Sequence, residues 1–154
     1  MKQSLTSVLI LSTGLLIQFW TAASALAASK TACSNATLNG AYAFTESGTI
    51  LGIGPVAVAG VLQSDGKGKI NAVDTVSLNG QINMESLNFN YQVNADCTGS
   101  AASAPGQEPA HFNFVLINGG EQVIGIHTDS GTTLILKAKL QFGKNTSAGC
   151  EEPL

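Results

Sequence analysis

The sequence predicts an all-β domain: an antiparallel barrel of about eight strands running up and down. Three observations carry this expectation. Apolar and polar residues alternate along most of the chain, which is the period of a strand with one buried face. Turn dipeptides such as Asp65-Gly66, Asn79-Gly80 and Asn118-Gly119 punctuate the alternation at short intervals. No helical stretch is long enough for the crossover that parallel pairing needs, so the strands must be antiparallel. A sheet of that size with one apolar face has to bury it, and closing into a barrel removes both edges. A two-sheet sandwich is the alternative. The uniformly short turns favour the barrel, because a Greek key needs a long return connection.

Residues 1–27 are set aside before the fold is read. Met1 and Lys2 give a positive start, and residues 7–20 are apolar apart from Ser, Thr, Gly and Gln. Ala25-Leu26-Ala27 then supplies the A-x-A pattern of a signal-peptidase site. The leader reads as a signal peptide cleaved after Ala27, which places the chain in a secreted or periplasmic compartment. A retained membrane anchor and a lipoprotein modified at Cys33 are the alternatives. The A-x-A site opposes the first, and the polar Lys30-Thr31 just before Ala32 and Cys33 opposes the second. Residues 28–154 then form one β-barrel domain, with a loose polar tail from about residue 143.

The elements follow in order. Residues 41–49 read as a strand with Tyr42 and Phe44 on one face. Residues 55–63 align Val56, Val58 and Leu62, and Asp65-Gly66-Lys67-Gly68 turns the chain. Residues 69–78 align Ile70, Ala72, Val76 and Leu78. Residues 87–94 alternate Leu87, Phe89, Tyr91 and Val93 against Asn and Gln. Ile82 and Met84 have the opposite parity, which predicts a bulge or break near Glu85. Residues 97–103 form a short strand of small side chains, and residues 104–109 a loop with two prolines. Residues 111–117 align Phe112, Phe114 and Leu116. A strand over 122–128 follows, and a last strand over 132–140 directs Leu134, Leu136, Ala138 and Leu140 inward and Lys137 and Lys139 outward.

Charge narrows the partners. All seven basic residues are Lys, against ten Asp and Glu. Removing the leader takes Lys2 with it and leaves a net charge of about −4. A nucleic-acid interface wants a basic patch, usually with Arg, so nucleic acid is excluded as a partner. Paired Arg clamps for phosphate or carboxylate are absent for the same reason. Once the leader is removed, no stretch is apolar enough for stable membrane insertion.

Glu46 and Asp74 are the conspicuous polar residues. Each shares parity with an apolar face, Glu46 with Tyr42 and Phe44, Asp74 with Ile70, Ala72 and Val76. An inward carboxylate is costly unless paired or hydrogen-bonded, so either could mark a polar spot in a ligand cavity. The structural alternatives are that Glu46 has reached the barrel mouth and that Asp74 sits on a twisted or bulged stretch. Neither has a basic partner in the same face pattern. Tyr91 adds a hydroxyl to the same inward wall. His111 has outward parity, and the facing of His127 is undecided. Asp65 and Asp129 read as turn formers. The sequons at Asn35 and Asn145 matter only in a glycosylating host. Three cysteines in an exported chain suggest one disulfide and one remaining thiol, without CxxC spacing for a redox or metal site. No metal and no cofactor are expected.

Six aromatics, Tyr42, Phe44, Phe89, Tyr91, Phe112 and Phe114, share inward parity. An eight-stranded barrel has room for a packed interior or one small ligand. Six rings predict a filled one.

Cys33-Ser34-Asn35-Ala36-Thr37-Leu38-Asn39-Gly40-Ala41-Tyr42, Asp65-Gly66-Lys67-Gly68 and Tyr91-Gln92-Val93-Asn94-Ala95-Asp96-Cys97-Thr98-Gly99 together resemble a group of uncharacterised secreted bacterial proteins. At fold level the pattern is similar to calycin-like barrels, including the allene oxide cyclase barrel and the lipocalins. The resemblance implies a barrel whose N-terminal segment crosses the base. It assigns no activity, and Tyr42 stands where the lipocalin motif has Trp. Cys33 and Cys97 both belong to the shared pattern, which favours a Cys33–Cys97 disulfide with Cys150 free or intermolecular. Such a link closes a loop of about 65 residues, worth roughly 4 kcal/mol at most.

The function expected from the sequence is a non-enzymatic structural or interaction role. No nucleophile–base pair, metal cluster or phosphate loop suggests turnover. Binding of a small apolar ligand is the first alternative, with Glu46, Asp74 and Tyr91 as the site. A cofactor-free isomerase or cyclase is the second. A cavity separates the first reading from the other two, and a buried carboxylate beside that cavity distinguishes the third.

Overall fold

The computed structural model describes residues 32–142. The expected cleavage site, the tail from residue 143, the Asn145 sequon and Cys150 lie outside them. Eight strands follow one another: β1 (Asn39–Ile50), β2 (Gly54–Asp65), β3 (Lys69–Leu78), β4 (Gln81–Val93), β5 (Thr98–Ser103), β6 (His111–Ile117), β7 (Gln122–His127) and β8 (Thr132–Phe142). Each pairs antiparallel with the next, and β8 returns to β1, so the sheet is a closed up-and-down barrel. The sandwich alternative is not adopted.

The turns hold the register by local chemistry. The Asp65 carboxylate accepts hydrogen bonds from the backbone N–H groups of Lys67, Gly68 and Lys69, at 2.7, 3.0 and 2.9 Å. These bonds tie the β2–β3 connection into an Asx-type turn. They also hold the Asp65 carboxyl below its ordinary pKa, with Lys69 N–H the largest cause.

The bulge expected near Glu85 does not occur. β3 and β4 pair without interruption from Lys69 opposite Asn90 to Leu78 opposite Gln81. Ile82 and Met84 simply face outward, 64% and 79% exposed. The reason is that β4 outruns β5. It pairs with β5 only from Phe89 to Val93. Beyond that point the β5–β6 loop docks on its edge, where Asn88 N–H donates to Gln107 Oε1 at 2.9 Å and Ala104 N–H donates to Asn88 O at 2.7 Å. A strand end at an open rim need not keep its apolar residues inside. A register shift does occur in the barrel, between β1 and β8 at Ala41 and Tyr42.

One end of the barrel is closed. A single 3-10 turn, Asn35–Thr37, leads into Leu38, which is 2% exposed. The Leu38 carbonyl accepts from Ser64 Oγ at 2.7 Å and from the Tyr91 hydroxyl at 2.9 Å. Asn35 Oδ1 accepts from Val93 N–H at 2.7 Å. Tyr42, fully buried, donates its hydroxyl to Gly120 O at 2.7 Å. Cys33 and Cys97 stand at disulfide distance beside this base, with Cα atoms 5.0 Å apart. All six inward-parity aromatics are buried, and Phe89 meets Phe112 edge to face at 5.5 Å between centroids.

Candidate functional site

The interior is not filled. A cavity of about 260 Å³ runs from Leu38 at the base to Ile50 and Leu78 near the other end. That is just below the usual range for ligand pockets, roughly 300–1,000 Å³. The expectation of a packed barrel fails for two reasons. Tyr42 and Tyr91 spend their hydroxyls on the base and do not line the cavity. The other four rings form its walls. Several of the other lining positions carry small or slender side chains, Ala72, Val76 and Val56, and Gly125 supplies none; nor does Gly60, opposite Phe44.

The walls are mainly apolar, with a few titratable side chains among them. Glu46 on β1 and Asp74 on β3 are both buried, 9% and 6% exposed. Both line the cavity. Glu85 on β4 and Glu108 in the β5–β6 loop complete the acidic lining. These last two are exposed, so the cavity reaches the surface between the free end of β4 and that loop.

Glu46 has a basic partner, contrary to the expectation from strand parity. His127 Nε2 lies 3.1 Å from Glu46 Oε2, and the two side chains are each 10% exposed. The His127 ring packs on Phe112 at 3.9 Å between centroids. On its other side, Nδ1 is 3.8 Å from Asp129 Oδ2, and Asp129 Oδ1 meets His111 Nδ1 at 2.6 Å. Asp129 also accepts from His111 N–H at 2.7 Å. Burial pushes the Asp129 carboxyl up, but the His111 side-chain and backbone hydrogen bonds outweigh it and hold the pKa below its ordinary value. Asp129 is therefore more than a turn former. It links a surface histidine to the one inside.

Asp74 is the anomalous group. It sits on an unbroken stretch of β3, opposite Gly60 on β2 and Glu85 on β4, so no twist or bulge explains it. Gly60 makes its place: a Cβ there would stand 2.5 Å from Asp74 Cβ and 2.4 Å from the Val73 carbonyl oxygen. Asp74 Oδ1 has no hydrogen-bond partner. Burial, then Glu85, then Glu46 push its pKa up to about 6.

Of the three residues expected at a site, Glu46 and Asp74 thus line the cavity, whereas Tyr91 serves the base. Sequence reasoning left His127 undecided and missed Glu85 and Glu108. Glu85 shares parity with Leu87 and Phe89 on one continuous strand, a signal hidden by the expected bulge. Glu108 lies in a loop, where parity says nothing. Among the described residues no three His, Cys, Asp or Glu side chains are grouped so that they could hold a metal ion. Comparison with protein-family models, with curated proteins and with solved structures finds no match.

Proposed function

We propose that this chain is an exported barrel that binds a small, mainly apolar molecule in its interior. The single observation that supports this reading is the apolar-walled cavity of about 260 Å³, closed at the base and reaching the surface beside Glu85 and Glu108. Ligand pockets combine that concavity with a few converging polar groups. A purely structural role is the weaker reading, because the filled interior that motivated it is absent. The paired cysteines suit an oxidising compartment. No helix among the described residues is long and apolar enough to cross a membrane.

The test is direct. Native mass spectrometry of the exported protein looks for a co-purified small molecule. Titration with an environment-sensitive apolar amine dye, N-phenyl-1-naphthylamine, measures saturable binding. Val58→Phe, which pushes a ring into the cavity, should abolish that binding while the barrel still folds. Absence of both a co-purified molecule and saturable binding would sink the reading.

A cofactor-free isomerase is the second reading, favoured by the Glu46–His127 couple on the cavity wall. A carboxylate held by an imidazole can take and return a proton without a cofactor. Turnover of the co-purified molecule, lost in Glu46→Gln, would select it over simple binding.

A further inference from the structure

The cavity wall is chemically lopsided. Four carboxylates line it, from Glu46, Asp74, Glu85 and Glu108, against one imidazole. No Arg exists in the chain, and Lys67, Lys69, Lys137 and Lys139 are all absent from the lining. His127 is already committed to Glu46. Asp74 is therefore a side chain 94% buried, facing two other carboxylates, with one oxygen unpartnered. The large majority of buried polar groups in folded proteins are hydrogen-bonded, so an orphan asks for a missing partner.

We propose that the molecule bound in the cavity carries a protonated amine, which donates to Asp74 Oδ1 with Glu85 and Glu46 flanking it, and an apolar tail that runs towards Phe44, Phe89 and Phe112. This rests on the small-molecule reading above and names the chemistry of its ligand. An ammonium supplies the hydrogen-bond donors that Asp74 lacks and a charge that offsets the carboxylates around it. The aromatic walls below accept an alkyl or aryl tail without a polar requirement. A neutral alcohol could satisfy the orphan oxygen but would leave the charge imbalance. A carboxylic acid would worsen it.

The inference carries a pH signature. The charged groups acting on Asp74 are Glu85 on β4 and Glu46 on β1, the latter paired with His127, and Glu108 lines the same cavity. At pH 5, about one unit below the pKa of Asp74, roughly nine-tenths of that carboxyl is protonated and unavailable as a counter-charge. Amine affinity should therefore fall about tenfold between pH 7.5 and pH 5.

Three probes of equal chain length decide the matter: n-octylamine, 1-octanol and octanoate, each titrated calorimetrically into the folded protein at pH 7.5. Octylamine should bind at least tenfold tighter than 1-octanol, and octanoate weakest. Asp74→Asn should bring the amine-to-alcohol ratio to within about threefold of one, and Glu85→Gln should reduce it by a smaller factor. Circular dichroism confirms that each variant is folded, and Glu85→Gln keeps the test alive should Asp74→Asn fail to fold. Equal affinity for amine and alcohol, or tighter octanoate, overturns the cationic ligand while leaving the binding cavity standing. No binding by any of the three overturns both.

Discussion

Glu46 and His127 meet 3.1 Å apart inside the barrel although their strands are not neighbours. β8 lies between them, pairing with β1 on one side and β7 on the other. Only closure of the sheet brings them together. The contact satisfies a carboxylate that would otherwise be buried without a partner. His127→Ala should destabilise the barrel by about 1–3 kcal/mol, the cost of orphaning a buried polar group. In a double-mutant cycle, His127→Ala in a Glu46→Gln background should cost clearly less. Denaturant midpoints of the four proteins measure this, and additive effects would show the pair to be uncoupled.

Asp74 gives stability a pH dependence of unusual sign. Its folded pKa, about 6, lies above the ordinary value of 3.8. Its contribution is fully present below that ordinary value and is lost as pH rises through about 6. The unfolded chain ionises first while the native carboxyl still holds its proton. Asp65, Asp96 and Asp129 are shifted downward, so their contributions are lost only as pH falls below the ordinary range. Asp74→Asn should stabilise the protein by about 1–3 kcal/mol at pH 7.5. It should flatten the melting temperature between pH 4 and 7. An unchanged profile in the variant would contradict the assignment.

Tyr91 acts on the base and not on the cavity. Its hydroxyl donates towards the carbonyls of Asn35 and Leu38, at 3.0 and 2.9 Å. Tyr91→Phe should lose about 1 kcal/mol or somewhat more of stability. Its affinity for the apolar dye should stay within twofold of the parent. A large loss of dye binding with little change in melting temperature would return Tyr91 to the ligand site.

The Cys33–Cys97 link ties the N-terminal segment to the β4–β5 turn. The two residues are 64 apart in sequence, which in the chain-entropy model is worth up to about 4 kcal/mol. Dithiothreitol, or Cys33→Ala, should lower the denaturation midpoint by an amount equivalent to about 2–4 kcal/mol. Cys33 is the better position to substitute, since Cys97 has a φ of 71° and any replacement there adds a backbone effect. Non-reducing peptide mapping should recover the Cys33–Cys97 pair. A Cys33–Cys150 peptide would refute it.

Much of the architecture was legible in the sequence because it rests on local rules. Alternation identified the strands, and Asp65-Gly66 and Asn79-Gly80 marked their turns. The six aromatics of shared parity are all inside, and so are Glu46 and Asp74. Each of these follows from a period of two read along one strand. Whether the interior is full does not. Parity says which side chains face inward, not how far along the barrel axis each stands. That height depends on strand stagger and on where the hydroxyls of Tyr42 and Tyr91 find partners. For the same reason the pairing of Glu46 with His127, across an intervening strand, had no sequence signal. Glu85 was hidden differently: its strand extends past its β5 neighbour, and the outward Ile82 and Met84 imitated a break. The chain's local chemistry determined a closed barrel with two inward carboxylates. Only its tertiary closure decided that they would face a cavity, one paired with an imidazole and one left without a partner.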